Sequence, residues 1–187
     1  GNNNFISYMP LNHIFERVVI EFSCLRYGGT ISFVESVDTF AKNLSDVQPT
    51  TFAGVPRIYG KFKDKILEKI PQKRLDLLLK IPIISTIIKR KIKKSLGWTN
   101  AKAIVNGAAF LPQSIIDWFQ KFDVYILNGY GMTENCCVCS YLDTSDEKGV
   151  GSVGKPWDAV DVKIGKDGEI WNKSPYLLKE YYKNKEL

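Results

Sequence analysis

The stretch "YILNGYGMTENC" (Tyr125–Cys136) stops a short apolar run on Asn-Gly-Tyr-Gly and then sets a threonine beside a glutamate. "DVYILNG" has the length and apolar character of a buried strand. Gly129 and Gly131 free the backbone to turn, which leaves Tyr130 projecting from the strand end, where its ring can stack on a planar base. Thr133 offers a hydroxyl to a phosphate oxygen, and Glu134 offers a carboxylate to a magnesium ion bridging phosphates. Together these groups describe a nucleotide triphosphate site without a Walker-type loop. The alternative is a Gly-Tyr-Gly that only turns the chain.

Outward from this stretch, apolar patterning alternates between short strands and helices. "LNHIFERVVIEFSCLRYGG" has helical spacing and stops on Gly28-Gly29. "TISFVE" reads as a strand, "SVDTFAKNLSDVQP" as a helix closed by Pro49, and "TTFAGV" as a second strand. Pro56 then opens a helix, "PRIYGKFKDKILEKI", where its fixed φ suits the first position. "NAKAIVNGAA" is a strand running into a glycine turn, "LPQSIIDWFQKF" a helix, and "CCVCSYL" a further strand. This rhythm predicts an α/β fold, a parallel sheet flanked by helices. Past Asp143 the glycine turns and short runs "DVKI" and "GEIW" predict the beginning of an antiparallel β subdomain. The expected division is an α/β unit over residues 1–146 and a partial β subdomain over 147–187. In a parallel sheet, ligands gather at the carboxyl ends of the strands, which singles out "IVNGAA" and "YILNGYGMTE". Small Gly107, Ala108 and Ala109 let a flat ligand approach the backbone.

The chain has 187 residues, 44% of them hydrophobic and 25% charged, enough for a globular core. No apolar run reaches the roughly 18 to 20 residues of a spanning helix. No secretory signal pattern opens the sequence. Three of the four cysteines crowd into "CCVC", which points to a reducing, cytoplasmic setting. Cys136 and Cys139 form a C-x-x-C, but the only histidine, His13, lies far upstream, so small apolar strand residues are the simpler reading. The net charge of +6 is local: Lys61 to Ser95 hold twelve Lys or Arg against Asp64, Glu68 and Asp76. Within this basic helical segment (61–97), "QKRLDLLLKIPIISTIIKRKIKKSLG" suggests two amphipathic helices broken at Pro82. They read either as a helical hairpin capping the sheet or as a peripheral contact with an anionic membrane or an acyl chain. No aromatic RNA-binding motif accompanies the lysines, so no nucleic-acid partner is expected.

Several stretches together resemble one family. "NGYGMTE" resembles the adenine-and-magnesium motif of the adenylate-forming superfamily, and "YMPLNHIFERV" and "TTFAGVPRIYGKF" resemble segments of long-chain fatty acyl-CoA synthetases (AMP-forming). "NGAAFL", "GSVGKP" and "DGEIWNKSPYLLKEYYKN" resemble further motifs of that family, in the same order, so the likeness spans nearly the whole chain.

The resemblance implies a ligase that uses ATP, Mg²⁺ and coenzyme A to activate a fatty acid. It implies that Tyr130 stacks on adenine and that Gly107, Ala108, Ala109, Asn128, Gly129, Gly131 and Met132 line or border the nucleotide pocket. Thr133 would contact the α-phosphate, Glu134 would bind Mg²⁺, and His13 would shape the carboxylate site; the alternative for His13 is a packing or helix-entry histidine. Gly151 to Gly154 would border an acyl tunnel. The chain departs from the pattern at Phe110, where the family has proline, and in "NKSPYLLKEYY", which lacks the family's glycines. The family's phosphate loop, ribose-binding aspartate, hinge and C-terminal domain with the catalytic lysine have no counterpart here. The expectation is therefore a central fragment of the N-terminal domain, inactive alone.

Overall fold

The computed structural model describes residues 3–143 and 149–184. Its main sheet takes five parallel strands: β1 (Asn4–Ser7), β2 (Thr30–Phe33), β3 (Thr51–Gly54), β4 (Ala103–Asn106) and β5 (Ile126–Tyr130). Two short strands, β6 (Ser140–Tyr141) and β7 (Lys155–Pro156), extend it antiparallel, in the order β2-β1-β3-β4-β5-β6-β7. A separate antiparallel pair, β8 (Asp161–Ile164) and β9 (Ile170–Lys173), forms from the "DVKI" and "GEIW" runs. The expected class therefore holds: a mostly parallel α/β sheet followed by a small antiparallel one. The expected division between residues 146 and 147 lies outside the described residues. β7, although beyond that point in sequence, hydrogen-bonds to β6 of the main sheet.

Side chains alternate across the strands, as the two-residue period requires. Ile6, Phe52, Ile104 and Ile126 point into the larger core, beneath α3 (Phe40–Val47), α4 (Pro56–Lys69), α5 (Gln72–Leu79), α6 (Pro82–Ser95) and α7 (Gln113–Gln120). Phe5 and Ala53 point the other way and meet Phe15 and Ile20. These last two belong to one helical run, made of α1 (Ile14–Glu16), a π-wound segment (Arg17–Phe22) and α2 (Ser23–Tyr27). The sequence predicted a helix there, but not the wider winding at its centre. Pro56 and Pro82 stand at the first positions of α4 and α6, where a missing amide proton costs nothing. α5 and α6 pack as a hairpin on the sheet, with Leu75, Ile88 and Ile92 turned inward.

An aromatic cluster cements the larger core. Phe52 is fully buried, with ring centroids 5.5 Å from Trp98 and 6.1 Å from Tyr8, Tyr59 and Phe62. Tyr59 donates its hydroxyl to the Val105 carbonyl at 2.7 Å, so α4 is tied to β4 by a part-buried polar bond as well as by packing. Truncation of Phe52 to alanine is expected to cost about 3–5 kcal/mol in urea unfolding, because this ring-packed site cannot collapse onto the void. A loss below about 1 kcal/mol would contradict this account of the core.

Candidate functional site

Parallel pairing aligns the carboxyl ends of β4 and β5, with Asn106 opposite Asn128. Both asparagines are buried, and the Asn106 side-chain amide donates to Asn128 Oδ1 at 3.1 Å and to the Ala109 carbonyl at 3.2 Å. Each asparagine is followed by a glycine, yet the two glycines answer different needs. A methyl group on Gly107 would sit 2.7 Å from the Phe15 ring, so this glycine admits the helix that covers the sheet. A methyl on Gly129 would meet only the Ser140 carbonyl, at 3.5 Å. No described protein neighbour requires a glycine at 129; the space in front of it is free for a ligand.

Two cavities flank this strand end. One, of about 300 Å³, is lined by Ala108, Ala109, Asn128, Gly129, Tyr130 and Gly131, together with Asn106, Gly151 and Val153. The other, of about 580 Å³, lies on the opposite face between the Ile14–Tyr27 helix and β4–β6, with Val18, Val19, Leu127 and Trp157 in its walls. Trp157 stacks on Tyr141 there, at 4.0 Å between centroids. Asn128 and Gly129 belong to both linings, so the end of β5 is the partition between the two spaces.

Beyond Tyr130 the chain reverses sharply. Thr133–Asn135 form a single 3₁₀ turn, and Asn135, fully buried, accepts from the Met132 amide through its side chain at 2.8 Å. Cys136 and Cys137 take left-handed conformations, and the Cys137 amide returns to the Met132 carbonyl at 2.8 Å. The strand expected over "CCVCSYL" therefore shrinks to Ser140–Tyr141, because its first residues are spent in the turn that brings β6 back against β5. Cys139 is buried, Cys136 exposed, and burial, with a lesser effect of Cys136, pushes the Cys137 thiol up to about 11. Among the described residues no three or more His, Cys, Asp or Glu side chains gather into a metal-holding group.

Glu134 stands on that turn, half-buried. Tyr181 donates its hydroxyl to Glu134 Oε1 at 2.8 Å, and the Leu178 amide donates to the Glu134 carbonyl at 2.7 Å. The Tyr181 bond is the main reason that the Glu134 carboxyl titrates below the ordinary carboxylate range. Thr133 and Met132 are exposed beside it.

The structure thus brings Ala108, Ala109, Asn128, Gly129, Tyr130 and Gly131 around one cavity. Met132, Thr133 and Glu134 follow on the adjoining turn, outside that lining, while Gly107 faces Phe15 instead. His13 is exposed and lines neither cavity; its Nδ1 accepts from the Phe15 amide at 3.2 Å, capping α1. It is nevertheless one link from the site, since the residue it caps is the ring packed on Gly107. Glu16, in the same segment, is fully buried beneath β1, and burial raises its carboxyl against the opposing pull of Ser7 and Tyr8. Sequence reasoning missed Asn106 and Tyr181. The paired "VNG" and "LNG" endings of two neighbouring strands were the available signal for Asn106. Tyr181 had none, because 47 residues separate it from Glu134.

A family model described as AMP-binding enzyme matches residues 1–182. The chain belongs to the AMP-binding enzyme family. Among curated relatives of this AMP-binding chain are long chain acyl-CoA synthetase 4 of Arabidopsis thaliana, 27% identical over 98% of the chain and 33% of the relative. Peroxisomal long chain acyl-CoA synthetase 7 of the same plant is 32% identical over 97% of the chain and 30% of its own length. Long-chain-fatty-acid–CoA ligase 5 of Rattus norvegicus is 30% identical over 97% of the chain and 30% of its own length. The chain thus spans about a third of the length of these relatives. Among solved structures, a Mycobacterium tuberculosis fatty acyl CoA synthetase superposes with a TM-score of 0.66 at 21% identity, over 99% of the chain and 34% of that structure. The o-succinylbenzoate CoA synthetase of Bacillus subtilis with its acyl-adenylate intermediate gives 0.67 at 19%, over 98% and 34%. These two likenesses concern the fold.

The two glycines of this AMP-binding fold are expected to respond oppositely to alanine. Gly107→Ala forces Phe15 to shift and should cost about 1–3 kcal/mol in denaturant unfolding. Gly129→Ala should leave stability within about 0.5 kcal/mol of the parent. Equal losses would contradict the separate roles. A second test concerns Glu134. Its folded pKa is depressed, so the Tyr181 contact is intact at neutral pH and is lost as pH falls through that depressed value. Tyr181→Phe should move the Glu134 midpoint upward, toward the ordinary carboxylate range, in an NMR titration; an unmoved midpoint would remove Tyr181 as the cause.

Proposed function

We propose that the chain is the central, nucleotide-binding part of a long-chain fatty acid–CoA ligase. A fatty carboxylate attacks the α-phosphorus of ATP, a new oxygen–phosphorus bond forms, and pyrophosphate leaves. The thiol of coenzyme A then attacks the acyl carbon, releasing AMP and a proton and leaving the thioester. The observation that carries this reading is the shared wall at Asn128–Gly129. A nucleotide seated against Tyr130 and an acyl chain in the larger, mostly apolar cavity would bring phosphate and carboxylate together across a residue with no side chain.

In this reading Tyr130 stacks on adenine above Ala108 and Ala109, with Asn128, Gly129 and Gly131 forming the strand edge beside it. Met132 leads the chain out of the pocket, and Thr133 donates to the α-phosphate. Gly107 acts from behind, by seating the Phe15 helix, and His13 acts through its cap on that helix. Gly151 closes the nucleotide side, so the acyl tunnel is assigned to the walls carrying Val18, Val19 and Trp157 and not to the Gly151–Gly154 turn. The residues fit a magnesium ion carried in with the phosphates. Glu134 is held ionised by the Tyr181 hydroxyl, and a single carboxylate plus phosphate oxygens is a usual way to hold this ion. When bound, the ion offsets charge on the phosphate oxygens. A carboxylate near pH 7 needs no base, so what the chain supplies is position and a preformed polar edge. The rest of the reaction is assigned to parts of a longer protein, and the chain alone is expected not to turn over.

Carboxylate-dependent ATP–pyrophosphate exchange on the full-length protein tests this, with acids from acetate to palmitate and one aryl acid. Exchange is expected to peak with the long acids. Glu134→Gln is expected to lower it by about 100-fold or more with an unchanged circular dichroism spectrum. A peak with the aryl acid would reassign the substrate class to an aryl-CoA ligase, and no exchange with any acid would overturn the proposal.

A further inference from the structure

The α5–α6 hairpin turns an unusual face outward. Its inward side is settled in the core through Leu75, Ile88 and Ile92. Its outward side leaves Leu77 62%, Ile81 43%, Ile83 77% and Ile87 48% exposed, an apolar surface that water solvates poorly. On α6, Ile83, Ile87, Arg90 and Lys94 recur at spacings of four, three and four residues, and so share one helical face. Lys73, Arg74 and Lys80 are exposed on α5 and its end beside Leu77. The acid of α5, Asp76, is engaged by Lys121 at 2.8 Å and by Gln72 at 2.9 Å, so it does little to offset the outward cations. Alongside, α4 and α6 enclose a cleft of about 270 Å³ with Phe62, Ile66 and Ile92 in its walls and Lys65, Lys69 and Lys91 around it. Among the described residues Lys65, Lys69, Arg90, Lys91 and Lys94 form no ion pair.

We propose that this face docks on an anionic lipid bilayer, with Leu77, Ile81, Ile83 and Ile87 entering the headgroup boundary and the flanking cations lying over the lipid charges. Aliphatic tips amid unpaired lysines match a surface that is both apolar and negative. A nucleic acid would call instead for aromatic or hydrogen-bonding side chains among the cations, and those are not what protrudes here. Among the described residues no helix is long and apolar enough to cross a membrane, so the contact lies in the plane of the surface. The inference does not depend on the ligase reading, and its test has no readout through catalysis.

The test is co-sedimentation of the full-length protein with vesicles of phosphatidylcholine alone, or of phosphatidylcholine with phosphatidylglycerol, at low and high salt. Binding is expected only to the anionic vesicles and to weaken with salt. Arg90→Gln with Lys94→Gln should cut partitioning by about 5-fold for each charge removed. Ile83→Ser with Ile87→Ser should cut it by about 10-fold or more, and since both isoleucines are exposed, the thermal unfolding midpoint should hold. Lys163→Gln, an exposed lysine on β8 of the separate antiparallel pair and outside the hairpin and its cleft, serves as the control and should bind as the parent does. Equal binding to uncharged vesicles, or no binding of the full-length protein to either kind, would overturn the proposal. So would an unchanged partition of the isoleucine pair. Tight binding of an oligonucleotide that survives the isoleucine changes would reassign the face to polyanions.

Discussion

The register of β4 against β5 is the constraint from which the site follows. Parallel strands end on the same side, and this pairing sets Asn106 beside Asn128 at that end, joined by a buried side-chain hydrogen bond. A slip of one residue would turn every core side chain on β5 to the wrong face and separate the two amides, leaving buried polar groups without partners. The Asn106 bond to the Ala109 carbonyl also shapes the loop that leaves β4. The two bonds of one side-chain amide thus tie the register of β4 and β5 to the exit of the first loop.

From that junction the two faces of the sheet diverge. On one side the aromatic core carries α3–α7, and the small residues after β4 leave a cavity against Tyr130. On the other, a single helical run is admitted closely at Gly107 and then stands away from β5 and β6, leaving the larger cavity. The π-wound centre of that run lies where the gap opens: Val18 and Val19 are in the wall, while Phe15, one turn earlier, is pressed on Gly107. Close packing at one end of the helix and space at the other give the larger cavity, while the small residues after β4 give the smaller one.

What was legible in the sequence was the part governed by local rules. Proline at helix starts, glycine at strand exits and the two kinds of periodicity located α3 to α7 and β2 to β5. The chemistry of "NGYGMTE" could be read because the groups that meet there are neighbours in sequence. β1 escaped because four residues with no preceding turn signal carry little pattern of their own; it is a strand because β2 and β3 pair with it on either side. β6 was overextended because three cysteines and a valine look like strand residues, while the left-handed turn at Cys136–Cys137 is imposed by the return to β5. Asn106 and Tyr181 act through contacts that only the folded chain makes, and His13 turned out to cap a helix that the site leans on.

Charge is distributed in a way that separates two electrostatic tasks. The excess of lysine and arginine lies on α4–α6, whereas among the described residues the cavity beside Tyr130 is lined by no ionisable side chain other than Tyr130 itself. In the proposed reading, a polyanionic ligand held there would be met by the Thr133 hydroxyl and by an ion balanced by Glu134, both residues standing on the turn that follows β5. Fixed dipoles of this kind need no reorganisation when charge develops. The exposed cations of α4–α6 suit the opposite task, a diffuse negative surface whose charges have no fixed positions.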